Sequence, residues 1–274
     1  MRTIKNNTGV IGYDVRGQGE AAILFNHSGT SSLSWRELFL ETLADKLTIV
    51  TLDNRGTGES SLGSTSFSLL DLAADGRAVL QNEGIDQAIV IGTSMGGAIA
   101  QEFALAFPEQ VRVLVLLGTF GGLSHFVPTD TAIVKLVMEY LPLWGQIDNI
   151  EWWRRMLPTL YGTKFLQEHE ELALELELRG SRFRTGETIT RHAEAVGAFE
   201  LHDRLPTITT PTLIIHGTED LSIPVQNGQI LAAQIPDSEY IELEDVGHLP
   251  AVERPIEVAD YILSFASKNG IELK

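Results

Sequence analysis

Cysteine is absent from this chain of 274 residues. Its absence excludes both a disulfide framework and a thiolate metal site, although it does not by itself identify a compartment. No apolar run reaches the ~18 residues that a membrane-spanning helix needs. The first ten residues, MRTIKNNTGV, lack the charged and then apolar pattern of a secretory signal. We therefore expect a soluble cytoplasmic protein that does not bind membranes.

Positive charge is also scarce. The chain has 20 Lys and Arg against 37 Asp and Glu, which gives a formal net charge of −17. Such a chain repels phosphate backbones and anionic lipids, so we expect no nucleic-acid partner. The acidic residues are scattered except in EHEELALELEL, Glu168 to Leu178. Charge alternates there with leucine at near-helical spacing, which predicts a solvent-exposed helix face.

Strand and helix patterns alternate along most of the chain. After an N-terminal hairpin, predicted strands cover Ala21–Phe25, Leu47–Leu52, Ala88–Ile91, Val111–Leu117, Pro211–Gly217 and Ser238–Leu243. Predicted helices cover Trp35–Ala44, Leu69–Asn82, Met95–Phe107, Val225–Gln234 and Ile256–Ser267. This alternation predicts an α/β fold, in which helices cover both faces of a mostly parallel sheet.

The alternation is interrupted once. From Thr119 to about Pro206 the pattern is helical, without a convincing strand, and aromatic residues are frequent. We therefore predict a core domain formed by residues 1–118 and 207–274, with a helical cap inserted at 119–206.

The strongest local sequence motif is a serine between two glycines, in VIGTSMGGAIAQ, Val90 to Gln101. A buried strand ends there and a helical pattern begins, so Ser94 lies on a strand-to-helix turn. Gly92 and Gly96 leave room for the strand and helix to approach closely, as a strained turn that exposes a nucleophilic serine requires. We therefore predict Ser94 as a nucleophile.

A serine nucleophile needs a base, and the base needs an acid that orients it. Asp220 follows one predicted strand in HGTEDLSIP, and His248 follows the next in VGHLPAVERP. Both loops lie at carboxyl ends of strands, where open parallel sheets build their sites. A helix cap is the alternative role of Asp220, and Glu219 is its neighbouring competitor. The other histidines are His27, His125, His169, His192, His202 and His216.

Acyl transfer also needs N–H donors for the oxyanion. The backbone N–H of Met95, directly after the nucleophile, is the first candidate. The second is expected from the loop FNHSGTSS, where we assign Gly29, with Ser28 as its competitor.

Together these segments resemble the α/β-hydrolase superfamily over essentially the whole chain. The resemblance rests on FNHSGTSSLSW, LDNRGTGES, GTSMGG, HGTEDLSIP and VGHLPAVERP. The second of these, which contains Asp53 and Arg55, resembles a structural turn of the family near the mouth of the site. A phosphate-binding role for its glycines is poorly supported because the dinucleotide fingerprint is absent.

The resemblance implies a serine hydrolase without metal or other cofactor, acting on a small-molecule ester or lactone. Relatives such as haloalkane dehalogenases and epoxide hydrolases have an aspartate nucleophile where this chain has Ser94. Their chemistries are therefore disfavoured. Ser28 stands where the family usually has glycine after histidine, and some enol-lactonase relatives share this serine. Carbon–carbon bond hydrolysis of ring-cleavage products, cofactor-free perhydrolysis of the haloperoxidase type, and ligand sensing without turnover remain alternatives.

Substrate selection is expected to depend on the cap. The sequence leaves the physiological substrate open, as well as the oligomeric state, with a homo-oligomer among the alternatives. The candidate substrate-binding residues are Ser28, Phe126, Trp144, Trp152, Trp153 and Leu249.

Overall fold

The computed structural model describes residues 1–6, 9–140 and 150–274, so Trp144 lies outside the described residues. Its strands form one eight-stranded sheet with the order β1-β2-β4-β3-β5-β6-β7-β8. The strands are β1 (Arg2–Asn6), β2 (Gly9–Gly17), β3 (Ala21–Phe25), β4 (Thr48–Leu52), β5 (Ala88–Thr93), β6 (Val111–Leu117), β7 (Thr212–Gly217) and β8 (Glu239–Leu243).

From β3 to β8 the α-helices of the described residues alternate with the strands, except between β6 and β7, where four follow one another, and two more follow β8. The helices are α1 (Glu37–Ala44), α2 (Leu69–Asn82), α3 (Met95–Ala106), α4 (Thr131–Tyr140), α5 (Ile150–Leu160), α6 (Thr163–Gly180), α7 (Gly186–Gly197), α8 (Gln226–Gln234), α9 (Pro250–Glu253) and α10 (Pro255–Lys268). Within the described residues, no helix combines the length and the low polarity that crossing a bilayer requires.

The sheet is mostly parallel. β2 pairs antiparallel with both β1 and β4, whereas β4, β3, β5, β6, β7 and β8 pair with one another in parallel. The carboxyl ends of the parallel strands therefore meet at one edge of the sheet, where a site is expected. The predicted α/β fold is confirmed.

Two apolar cores lie on the two faces of the sheet, because successive residues of a strand point to opposite faces. Ile23 and Phe25 pack into one core with residues of α2 and α3, while Leu24 packs into the other with residues of α1 and α10. Every residue of β5 and of β7 is buried, as expected for central parallel strands.

Local sequence signals explain where several elements begin. Ser68 and Asp71 form a reciprocal capping box that starts α2 at the predicted residue. Helix α1 begins two residues later than predicted, at Glu37, because a 3-10 turn at Ser32–Ser34 precedes it.

The segment between β6 and β7 has an apolar cluster of its own, formed by α5 and α6 with Leu249 and Val252 from the core. The prediction of a solvent-exposed face for EHEELALELEL is wrong at Glu177, which is buried and accepts a hydrogen bond from Tyr161. The other acidic residues of this stretch are exposed, namely Glu168, Glu170, Glu171 and Glu175.

Candidate active site

Ser94 sits on a strained turn between β5 and α3. Its φ of 56° lies in the left-handed region, which costs a residue with a side chain about 1–3 kcal/mol. The turn is held because the Ser94 N–H donates to the Leu117 carbonyl at 2.9 Å. A Cβ on Gly92 would lie 2.0 Å from the Gly96 carbonyl oxygen, and one on Gly96 would lie 2.1 Å from that of Phe25. Both glycines are therefore required by close backbone approach.

His248 and Asp220 form a buried hydrogen-bonded pair, with 2.8 Å between His248 Nδ1 and Asp220 Oδ2. The other Asp220 oxygen accepts the N–H groups of Ser222 and Ile223 at 2.9 and 2.8 Å. Burial raises the pKa of Asp220, but the His248 charge and the hydrogen bonds of His216 and His248 outweigh it and lower that pKa overall. An ionised Asp220 accepts the Nδ1 proton of His248, so His248 Nε2 is free to act as the base.

The structure favours neither alternative to Asp220 as the partner of His248. Glu219 accepts the Thr163 N–H at the start of α6 and makes no described hydrogen bond to His248. The helix-cap role of Asp220 is not seen, since α8 begins only at Gln226.

The loop that carries His248 is fixed from its backbone. The His248 N–H donates to the Leu160 carbonyl at 2.9 Å, and the neighbouring Gly247 N–H donates to Glu253 Oε1 at 2.9 Å. The other Glu253 oxygen accepts the Gly162 N–H at 3.1 Å. Burial raises the pKa of Glu253 to about 8. Because it accepts both N–H groups, the Glu253 carboxyl group connects the loop that carries His248 to the junction of α5 and α6.

The candidate oxyanion donors differ in their surroundings. Met95 is the first residue of α3, where backbone N–H groups have no partner within the helix. The Gly29 N–H, in contrast, donates to His192 Nδ1 at 3.0 Å, so it is already paired and is a poor oxyanion donor in this conformation. Ser28, its competitor, lines the same cavity as Ser94.

A cavity of about 280 Å³ contains Ser94 and His248. It lies between the strand ends and the inserted helices, and its wall is mostly apolar. The other lining residues are His27, Ser28, Thr30, Thr129, Ile133, Trp152, Trp153, Met156, Thr159, Leu160, Glu177, Arg184, Ile189, Leu221, Ser222 and Ile223.

The structure brings some of the predicted substrate-binding residues to this cavity and not others. Ser28, Trp152 and Trp153 line it. Phe126 instead packs edge-on against Phe120, with 5.3 Å between ring centroids. Leu249 is buried in the apolar cluster with α5 and α6. Neither of these two residues lines the described cavity.

Three ionisable cavity residues were not predicted. Burial lowers the pKa of His27 to about 3 and that of Arg184 to about 10, and raises the pKa of Glu177 to about 7. The sequence offers little signal for Glu177 or Arg184, since a charged residue on an amphipathic helix or in a connecting loop usually faces solvent. His27 is neutral at pH 7, so it offers no positive charge to a substrate.

The DNRGTGES loop is built as a structural turn, as its resemblance implies. Asp53 accepts the N–H groups of Ser32 and Glu59 at 2.7 and 2.9 Å. Arg55 forms a buried ion pair with Asp75 of α2 at 2.6 Å. The described residues contain no group of three His, Cys, Asp or Glu side chains that could hold a metal ion.

Comparison with known proteins places this architecture in a family. The family model described as alpha/beta hydrolase fold matches residues 21–255. A poly(3-hydroxyalkanoate) depolymerase of Ectopseudomonas oleovorans is 31% identical over 250 residues, covering 90% of this chain and 84% of its own. A 2-hydroxy-6-oxononadienedioate/2-hydroxy-6-oxononatrienedioate hydrolase of Klebsiella pneumoniae is 29% identical over 258 residues, covering 91% of this chain and 88% of its own.

One solved structure is similar to this chain over almost the whole length of both. Est816, described as an N-acyl homoserine lactone degrading enzyme, superimposes with a TM-score of 0.82 and 28% identity, covering 96% of this chain and 100% of its own. The chain belongs to the alpha/beta hydrolase family.

Proposed function

We propose that this alpha/beta hydrolase is a serine hydrolase that cleaves small to medium carboxylic esters or lactones through an acyl-enzyme. The observation that carries the proposal is one cavity that holds Ser94, on its strained turn, and His248, paired with Asp220 at 2.8 Å. Acyl transfer needs a serine that shares its cavity with an oriented imidazole.

In the proposed reaction, Ser94 Oγ attacks the carbonyl carbon while its proton passes to His248 Nε2. The tetrahedral oxyanion accepts hydrogen bonds from the backbone N–H groups of Met95 and, in place of Gly29, Ser28. Collapse of the intermediate expels the alcohol oxygen, which takes the proton from His248. With a lactone, that alcohol remains attached to the acyl group. A water molecule, deprotonated by His248, then attacks the acyl-enzyme and regenerates Ser94.

Each neighbour of His248 has a part in this proposal. Asp220 keeps the imidazole in the tautomer that leaves Nε2 unprotonated, and its lowered pKa keeps it ionised at neutral pH. His248 accepts and returns one proton in each half-reaction. Neither step requires a group from the inserted segment.

The cavity wall supports the substrate class. Apolar side chains from α4, α5 and α7 cover Ser94, so a compact apolar group fits and a polar polymer or nucleic acid does not. The relatives named as a polyester depolymerase and as a lactone degrading enzyme support ester or lactone cleavage. We further propose that residues 119–206 act as a lid that selects substrates.

A substrate screen tests this proposal. The screen uses p-nitrophenyl esters of increasing acyl length, a panel of lactones and one vinylogous diketone. We expect many turnovers on esters or lactones in the wild type and none in Ser94→Ala.

Cleavage of the diketone alone would replace the proposal with carbon–carbon bond hydrolysis. Peracid formation from a carboxylic acid and peroxide would indicate perhydrolysis. Stoichiometric hydrolysis without turnover would indicate a ligand sensor.

A further inference from the structure

A second histidine lies against Asp220, the acid of the proposed reaction. His216, on β7, is fully buried, and its Nε2 lies 3.1 Å from Asp220 Oδ2. This is the same carboxylate oxygen that His248 Nδ1 contacts at 2.8 Å. The His216 Nε2 also lies 2.8 Å from the Ile223 carbonyl oxygen. The proposed reaction uses Asp220 and His248 but not His216, so the position of this third ring needs an explanation.

The contacts of the His216 ring fix its tautomer. Both atoms close to Nε2 are acceptors, a carboxylate oxygen and a backbone carbonyl oxygen, so Nε2 carries a proton. Nδ1 has no hydrogen-bond partner among the described residues. It faces Gly228 of α8, where an added Cβ would lie only 2.5 Å away. The imidazole is therefore held between α8 and the loop that carries Asp220, with the Nε2–H on the side of that loop.

With this N–H, every acceptor position of Asp220 has a donor. Oδ1 accepts the Ser222 and Ile223 N–H groups, while Oδ2 faces the N–H groups of the two histidines. A carboxylate offers about four such positions, so the set is complete. Burial alone would raise the pKa of Asp220, but the histidine charge and the hydrogen bonds lower it overall. Each donor thus helps to keep the buried carboxylate ionised and in one orientation.

A purely structural role for His216 would need only one of its two contacts. A hydrogen bond to the Ile223 carbonyl alone would close the turn that begins at Asp220, without acting on the charge of the carboxylate. The approach of Nε2 to Asp220 Oδ2 is not needed for that purpose. His216 is also not among the residues that line the described cavity, so it acts on the reaction only through Asp220.

We propose that His216 is a positioning residue for the reaction, and that its Nε2–H is shared between Asp220 Oδ2 and the Ile223 carbonyl. This N–H restrains the oxygen that orients His248 and neutralises part of its negative charge. Asp220 then holds the His248 imidazole in the tautomer that leaves Nε2 free, without binding the imidazolium form too tightly. This inference rests on the proposed function and adds a residue to it.

Two amide substitutions separate the Nε2–H from the rest of the ring. The Gln Nε2 lies as many bonds from Cβ as the His Nε2, whereas the Asn Nδ2 corresponds to the His Nδ1, which faces Gly228. With the p-nitrophenyl ester that the wild type cleaves fastest, His216→Asn and His216→Met should lower kcat about tenfold or more. KM should change little, because His216 is not in the cavity wall. His216→Gln should retain most of the wild-type kcat.

The pH dependence of kcat/KM separates positioning from a structural role. Without the His216 donor, Asp220 attracts the protonated form of His248 more strongly, so the inactive form persists to higher pH. The acid limb should therefore move to higher pH in His216→Asn and His216→Met, but not in His216→Gln. The other ionisable groups around His248 and its loop are the same in every variant, namely His27, Glu177, Glu219 and Glu253.

Ile214→Val is the matched control for the loss of buried contacts. Ile214 is 1% exposed and lies two residues before His216, on the same face of β7. This variant loses packing but no hydrogen-bond donor, so its acid limb should coincide with that of the wild type. A movement of the acid limb in this control as large as in His216→Met would assign the effect to packing and overturn the positioning role.

The outcomes also distinguish this inference from the proposed function. If the wild type turns over no p-nitrophenyl ester or lactone, the proposed function itself is wrong. If the wild type is active but all three His216 variants keep its acid limb, or if His216→Gln is as impaired as His216→Asn, the positioning role is wrong while the hydrolase proposal stands.

A wild-type measurement decides the question where the variants do not fold. The ¹H–¹⁵N correlations of the histidine side chains, once assigned, report which nitrogen of each ring carries the proton. We expect His216 to be protonated at Nε2. A proton on Nδ1 alone would leave Asp220 without this donor and would overturn the inference, whether or not the protein hydrolyses esters.

Discussion

At the residue scale, the geometry assigns separate tasks to side chains that are adjacent in sequence. Asp220 faces His248, whereas its neighbour Glu219 faces the start of α6. Their order along the chain could not separate them, because both follow the same strand. The direction in which each side chain leaves the turn decides the assignment, and the hydrogen bonds from Ser222 and Ile223 to Asp220 set that direction.

Asp220→Asn tests this assignment. The amide should leave the imidazole in the wrong tautomer and lower kcat by about 10³- to 10⁴-fold. Circular dichroism should show an intact fold. Glu219→Gln, the matched control, should keep most of the wild-type rate, and the reverse ranking of the two variants would make Glu219 the acid.

Glu177→Gln tests the burial of the cavity carboxyl group through pH. The folded-state pKa of Glu177, about 7, lies above its ordinary value of 4.5 because burial disfavours the ionised form. The folded protein thus binds the proton more tightly than the unfolded chain. Wild-type stability from this group is fully present below about pH 4.5 and is lost as the pH rises to about 7.

The glutamine side chain does not ionise and keeps the oxygen that accepts from Tyr161. Between pH 4.5 and 7 the difference in free energy of unfolding should therefore shift in favour of the variant by about 3 kcal/mol. Urea unfolding at pH 5 and pH 8 measures this shift. A difference that does not change with pH would show that Glu177 is ionised without penalty in the folded protein.

At the scale of elements, the sequence predicts the core strands and helices within about two residues at most of their ends. Helix α2 and strand β6 have the predicted bounds, because an N-cap or flanking turn residues mark them locally. The hydrogen bond of Gly29 and the burial of Glu177 were not predicted, for the opposite reason. Gly29 is paired with His192, and Glu177 is buried by cap packing, so both depend on contacts that only the folded chain brings together.

Gly96→Ala tests the close packing of α3 on β3. A Cβ there would lie 2.1 Å from the Phe25 carbonyl oxygen, and backbone on both sides leaves no room for relaxation. We expect a loss of several kcal/mol in stability or no folded protein. Gly197→Ala, where an added Cβ meets nothing within 4 Å, is the control and should retain wild-type stability. Equal thermal midpoints for the two variants would refute the close approach.

Trp152→Phe and Trp153→Phe test the lid. Both rings line the cavity from α5, so the smaller ring should enlarge it and shift the preferred acyl length upward. The rate of Ser94 labelling by a small fluorophosphonate should change little, because neither ring is among the proposed bond-making groups. If labelling were lost while the fold stayed intact, the inserted segment would be positioning the catalytic residues, and the lid role would be withdrawn.

At the scale of the whole molecule, the proposed catalytic residues and most of the cavity wall come from different parts of the chain. The sheet and its two apolar cores hold Ser94, Asp220 and His248 on short loops at one edge, while helices from a single insertion cover them. Chain order predicts that the first group lies at one edge of the sheet, because parallel strands align their carboxyl ends. Contacts made by the segment between β6 and β7 follow no comparable sequence rule, so the residues that line the cavity were predicted only in part.

The central claim is that Ser94 forms an acyl-enzyme, and rapid-quench mass spectrometry with a slowly hydrolysed p-nitrophenyl ester tests it most directly. We predict a burst of one nitrophenolate per chain and an adduct of the acyl mass on the peptide that contains Ser94. Ser94→Ala should give neither. An adduct on another residue, or continued turnover by Ser94→Ala, would contradict the account.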